Sequence, residues 1–130
     1  MIAKFLDELR GPSPGRAGGF AAMTTGAAGA ALFVKCRYRQ AEAEMMTLSE
    51  LALSDGSAFE KYIQSKREGS GFAPWLREAT SSPLVGAELA LQLLERLPEA
   101  REGCPRSMEA DLLVGAQMLE ASVRGSAELV

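Results

Sequence analysis

The sequence predicts an all-α fold: a single domain over residues 1–130, built as an antiparallel bundle of about five helices. Three observations predict it. The chain holds 21 Ala, 17 Leu and 14 Glu against five Val, two Ile and four Thr, so helix formers far outnumber the β-branched residues that strands favour. No stretch alternates apolar and polar residues convincingly over six positions. A length of 130 residues, 47% of them hydrophobic, suffices for one core without disulfide staples.

The first helix is expected near Ile2–Leu9, where Ile2, Phe5, Leu6 and Leu9 make one apolar face. Gly11-Pro12-Ser13-Pro14-Gly15 stops it, since prolines lack the helix donor and glycines lack helix preference. A second helix is expected from Gly18 or Gly19 to about Met46. Its first part is unusual: the eighteen residues from Ala17 to Val34 carry no charge. Ala22, Gly26 and Ala30 share a face, and small residues four apart let two helix backbones approach closely. That face is the expected dimer contact. The segment is marginal in length for a membrane span, and its Ala, Gly and Thr are weakly hydrophobic, so a buried helix or subunit interface is the better reading.

Thr47-Leu48-Ser49-Glu50 has the capping-box pattern and either starts a new helix or sits inside a continuing one. An apolar stripe follows through Leu51, Ala52, Ala58, Phe59, Tyr62 and Ile63. Ser54-Asp55-Gly56 interrupts it as a kink or turn, and Glu68-Gly69-Ser70-Gly71 reads as a loop. Phe72–Thr80 is expected to be a short helix of its own around Trp75. Ser82 as N-cap and Pro83 at the first helical position predict a further helix, ended by Pro98. After the loop Gly103-Cys104-Pro105, Ser107 is expected to cap a last helix whose inner face is Leu112, Ala116, Leu119, Val123 and Ala127.

Composition narrows the chemistry. The chain has no histidine, which removes Ser-His-Asp and Cys-His catalysis and the usual zinc sites; no metal site is expected. A formal charge of −3 argues against a nucleic-acid partner, which would want a basic face. Cys36 and Cys104 have no metal or disulfide-framework spacing. Cys36 reads as a buried inert thiol and Cys104 as an exposed loop thiol. Met1–Leu9 carries charges where a secretory core would be apolar, and a cytoplasmic setting without membrane association is expected.

Two features could carry chemistry. The Gly/Pro-rich segment Pro14-Gly15-Arg16-Ala17-Gly18-Gly19 runs into a helix N-terminus, where free amides and the helix dipole favour a carboxylate or phosphate. Arg16 would add charge. The plain alternative is a tight turn whose glycines only serve packing. Asp55 at a helix break could be buried and tuned for proton transfer; the plain alternative is a local cap. Asp111, in the first turn of the last helix, stabilises its dipole in any case.

In order along the chain, Phe5-Leu6-Asp7-Glu8-Leu9, Pro14-Gly15 with Gly18-Gly19, the Ala/Gly-rich helix, Asp55-Gly56-Ser57-Ala58-Phe59, Ala79-Thr80-Ser81-Ser82-Pro83-Leu84, and Asp111 with Gly125-Ser126-Ala127 resemble the cyclodeaminase/cyclohydrolase family. That family contains the C-terminal domain of formiminotransferase-cyclodeaminase and the methenyltetrahydrofolate cyclohydrolases. The resemblance implies a dimeric helical bundle and a one-carbon reaction on a tetrahydrofolate derivative, which is substrate rather than bound cofactor. It implies Asp55 as the catalytic proton carrier, and Pro14, Gly15, Arg16, Gly18, Gly19 and Asp111 as substrate-binding residues. The sequence departs from the family pattern where Arg16-Ala17 interrupts the glycines, where Phe20 replaces a serine, and where Leu129 stands for an asparagine. The alternative expectation is a non-catalytic helical dimer that binds another small ligand or a protein partner.

Overall fold

The computed structural model describes residues 1–69 and 72–130, the side chains of 72–75 and 78–80 excepted. Among the described residues every regular element is helical. The six helices are α1 (Ile2–Arg10), α2 (Gly18–Lys35), α3 (Ala41–Glu68), α4 (Phe72–Glu95), α5 (Leu97–Gly103) and α6 (Glu109–Ala127), with 3-10 turns at Pro14–Arg16 and Arg106–Met108. The four long helices close a ring: α2 touches α3 and α6, and α4 touches the same two.

The α2–α6 contact is the tightest, and residue size sets it. A Cβ on Gly29 would come within 2.7 Å of the Gly115 carbonyl oxygen, and one on Gly26 within 2.5 Å of Ser122 Oγ. Ser122 is fully buried and donates to the Ala22 carbonyl at 2.7 Å, so its hydroxyl is satisfied where an orphan would cost about 1–3 kcal/mol. The Ala22/Gly26/Ala30 face is therefore occupied within one chain, not by a second copy as the sequence led us to expect. The segment Pro14–Lys35 also has the length and hydropathy of a membrane span. In the fold its residues Met23, Ala30 and Phe33 lie at the centre of the bundle, with no exposed surface.

Several expectations about element boundaries are corrected. The second helix ends at Lys35, not near Met46. Tyr38 N–H bonds Phe33 O and Arg37 N–H bonds Val34 O, each at 3.0 Å, while Arg37 adopts φ 74°. This is a Schellman ending, with the Tyr38 ring set edge-on to Phe33 at 6.3 Å as its apolar contact. An arginine stands where glycine is usual, so no stop signal was visible. Helix α3 runs unbroken through Thr47–Glu50 and Ser54–Gly56. Ser54 Oγ bonds its own helix at Leu51 O, 3.3 Å away. Helix α4 likewise runs through Pro83, which lies inside the helix and not at its start, so the separate helix expected over Phe72–Thr80 is instead the beginning of α4; the loop residues Ser70 and Gly71 fall outside the described residues. Helix α4 ends at Glu95, just ahead of Pro98, but Pro98 also stands in the first turn of α5, a sixth helix that the sequence reading lacked. Ser107 lies in the 3-10 turn and makes no side-chain cap to α6.

Two apolar clusters fill the bundle. One gathers Phe33, Leu93, Leu112 and Leu119 between the C-terminal half of α2, α4 and α6. The other joins Phe20, Met23, Leu48 and Ala52, with Phe5 and Leu9 of α1 laid over it. The site described next lies at the second cluster's end, where α2 begins.

Candidate functional site

The start of α2 sits against the middle of α3. Ahead of it, the turn Pro14–Arg16 lies directly on α3: a Cβ on Gly56 would collide with the Gly15 carbonyl oxygen. Gly56 thus stands inside a helix because the turn needs the space, which is why a residue that reads as a break produces none. No side chain caps α2; its first backbone bond runs from Ala21 N–H to Ala17 O at 3.0 Å. The amides of Gly18, Gly19 and Phe20 precede that bond and have no acceptor one helical turn back.

Beside them is a cavity of about 250 Å³. Pro14, Gly15, Ala17, Gly18, Gly19 and Phe20 form one wall. Asp55, Phe59 and Tyr62 of α3 form another, Pro83 and Leu76 of α4 a third, and Leu129 reaches in from the C-terminal turn. Leu129 Cδ2 would stand 3.6 Å from a Cβ on Gly18, so an apolar side chain covers part of the exposed helix start.

Asp55 is the cavity's titratable carboxyl and is only 6% exposed. Its carboxylate lies over Gly19, where any Cβ would strike it. Burial raises its pKa from 3.8 to about 6, because the charged form loses hydration. A carboxyl that titrates close to neutrality can accept and return a proton at working pH.

The sequence-predicted residues divide. Pro14, Gly15, Gly18, Gly19 and Asp55 come together around the cavity. Arg16 and Asp111 do not. The Arg16 guanidinium lies 4.6 Å from the Phe20 ring centre, 3.5 Å from Glu8 Oε2, and donates to Gly15 O at 3.2 Å. It faces an outer groove shared with Asp7, Glu8, Ser13 and Glu60, because the acidic face of α1 draws it there. Asp111, at the start of α6, acts electrostatically on the Cys36 thiol, which caps the far end of α2. At 1.5 Å per residue, the eighteen residues of α2 separate it from the cavity by about 27 Å.

Phe20 does not fill the cavity. Its ring turns toward Phe5, with centroids 5.7 Å apart, and the side chain serves as a wall. Tyr62 and Leu76 are lining residues that the sequence reading did not single out. Asp55, Phe59 and Tyr62 stand at i, i+4 and i+7 and share one face of α3. That signal was present but was hidden by reading Ser54–Gly56 as an interruption. Among the described residues, no three His, Cys, Asp or Glu side chains gather as a metal site.

No protein-family model matches the chain, and no curated protein matches it.

Proposed function

We propose that the chain handles the one-carbon group of a reduced folate, in the manner of a methenyltetrahydrofolate cyclohydrolase or a formiminotetrahydrofolate cyclodeaminase, with Asp55 as the catalytic proton carrier. The observation that carries the reading is Asp55: a nearly buried carboxyl, raised to about 6, in a cavity beside an uncapped helix start. In the hydrolytic direction Asp55 takes a proton from water as the water oxygen bonds the methenyl carbon. The ring C–N bond then breaks as the hydroxyl oxygen becomes the formyl carbonyl and releases its remaining proton to solvent, and Asp55 returns the first proton to the departing nitrogen. The positive charge of the methenyl amidine favours an ionised Asp55 and the faces of Phe59 and Tyr62. The amides of Gly18 and Gly19 would orient polar ring atoms. The cavity volume lies just under the usual range for small-molecule sites, which suits the ring end of a ligand whose glutamate tail stays in solvent. With Arg16 turned outward, the tail receives no fixed charge from the lining.

The test is the near-ultraviolet absorbance of methenyltetrahydrofolate. The protein should accelerate its decay, and Asp55→Asn should remove most of that acceleration. Full turnover in Asp55→Asn would exclude the acid–base role.

A second reading, a non-catalytic helical dimer, is favoured by one observation. Leu84, Val85 and Leu91 of α4 and Leu113 and Val114 of α6 are each 36–49% exposed. A dimer would use such residues, since the Ala22/Gly26/Ala30 face is filled from within. Sedimentation of the wild type and of Val114→Glu tests it: a dimer that the charge does not weaken would place the contact elsewhere.

A further inference from the structure

The two cysteines, 68 positions apart in sequence, meet at the end of the bundle remote from the cavity. Cys36 caps α2 and is fully buried. Cys104, after α5, is half-buried and packs on the same apolar cluster. Both thiols address one turn. Cys36 Sγ donates to Met108 O at 3.5 Å and Cys104 Sγ to Pro105 O at 3.4 Å, and Met108 N–H bonds Pro105 O at 2.9 Å. After burial, Cys104 is the neighbour that does most to raise the Cys36 pKa. No other cysteine exists in the chain, so neither has a competing partner within it.

We propose that Cys36 and Cys104 are a reversible dithiol–disulfide site, which in its oxidised form clips the end of α2 to the loop between α5 and α6. The co-reactant is a small disulfide of the glutathione class. Cys104, the more accessible thiol, loses its proton and attacks one sulfur of that disulfide, releasing one glutathione thiolate, which takes up the proton. Cys36 then loses its proton and attacks the Cys104 sulfur of the mixed disulfide. The Cys104–glutathione bond breaks, and the second glutathione leaves as thiol. Two protein thiols are oxidised and one small disulfide is reduced to two thiols. Burial, with Cys104 and Asp111 close by and Lys35 opposing them, pushes the Cys36 thiol up to about 11. Cys36 is therefore a poor first nucleophile, and the order of attack follows from both exposure and charge.

The experiment treats the folded protein with oxidised glutathione and reads the intact mass without reductant. The expected wild-type product is lighter by two hydrogen atoms, carries no adduct and gives a Cys36–Cys104 cross-linked peptide on digestion. Cys36→Ala should keep one glutathione adduct, on Cys104, and Cys104→Ala should stay unmodified. Because the disulfide closes a loop of about half the chain, the unfolding midpoint of the oxidised protein should rise and return with reductant. A stable adduct on the wild type, a disulfide between two chains, or no reaction under conditions that unfold neither protein would overturn the proposal. The peptide map of the wild type decides the matter even if a variant folds poorly. It is also independent of cavity turnover.

Discussion

Replacing Asp55 by Asn should change how stability depends on pH, and the structure sets both sign and size. Below about pH 3.8 the Asp55 carboxyl is neutral in the folded and unfolded chain alike, and it imposes no ionisation cost. Between 3.8 and about 6 the unfolded chain ionises first, so the native state loses stability as pH rises. Above about 6 both states are ionised and the whole cost remains. A carboxyl held at about 6 rather than 3.8 corresponds to about 3 kcal/mol at neutral pH, with about half of it already present near pH 5. Asparagine has no proton to release and feels none of this. Other carboxyls titrate in both proteins, so the informative quantity is the difference between them. Urea unfolding at steps from about pH 4 to pH 8 should show Asp55→Asn gaining on the wild type by about 2–3 kcal/mol across that window. The gain should level off above about pH 7. A difference that stays flat with pH would mean that Asp55 titrates like an exposed carboxyl and would refute the reasoning.

Gly26→Leu should destabilise the chain by at least about 1–3 kcal/mol, read by thermal or urea unfolding and independent of protein concentration, since the crowded partner is Ser122 of the same chain. Ser122→Ala should cost about 1 kcal/mol through loss of the buried hydrogen bond to the Ala22 carbonyl, measured the same way. Gly19→Ala should displace the Asp55 carboxylate and lower turnover of methenyltetrahydrofolate at least tenfold. Arg16→Ala, by contrast, should leave that turnover within about threefold of wild type, because the guanidinium is engaged by Glu8 and Phe20 outside the cavity; steady-state kinetics on the two variants distinguish wall from surroundings.

Helical class was legible because it follows from bulk composition, which local detail does not disturb. Boundaries were less so, for reasons that lie in tertiary contacts. Arg37 takes a left-handed conformation that a sequence would assign to glycine, since burial of Tyr38 against Phe33 compensates for it. Gly56 read as part of an interruption and Pro83 as a helix start; both are instead interior helix residues that face the turn and the cavity. The small residues of α2 did announce a close contact. Whether the partner helix came from the same chain or another was not encoded locally; the answer depended on Gly115 and Ser122, nearly a hundred positions away. For the site, the loop glycines and Asp55 were legible from residue type. The placement of Arg16 was not, because Glu8 on α1 and the Phe20 ring compete for it, and neither competition has a sequence pattern.

Carbon-13 NMR of the aspartate side-chain carboxyls, followed through a pH titration with and without methenyltetrahydrofolate, tests the central claim most directly. With only Asp7, Asp55 and Asp111 in the chain, each signal can be assigned by substitution. The account predicts that Asp55 titrates near 6 in the free protein and that the cationic ligand moves its midpoint downward. An Asp55 signal that titrates near 3.8 and ignores the ligand would contradict it.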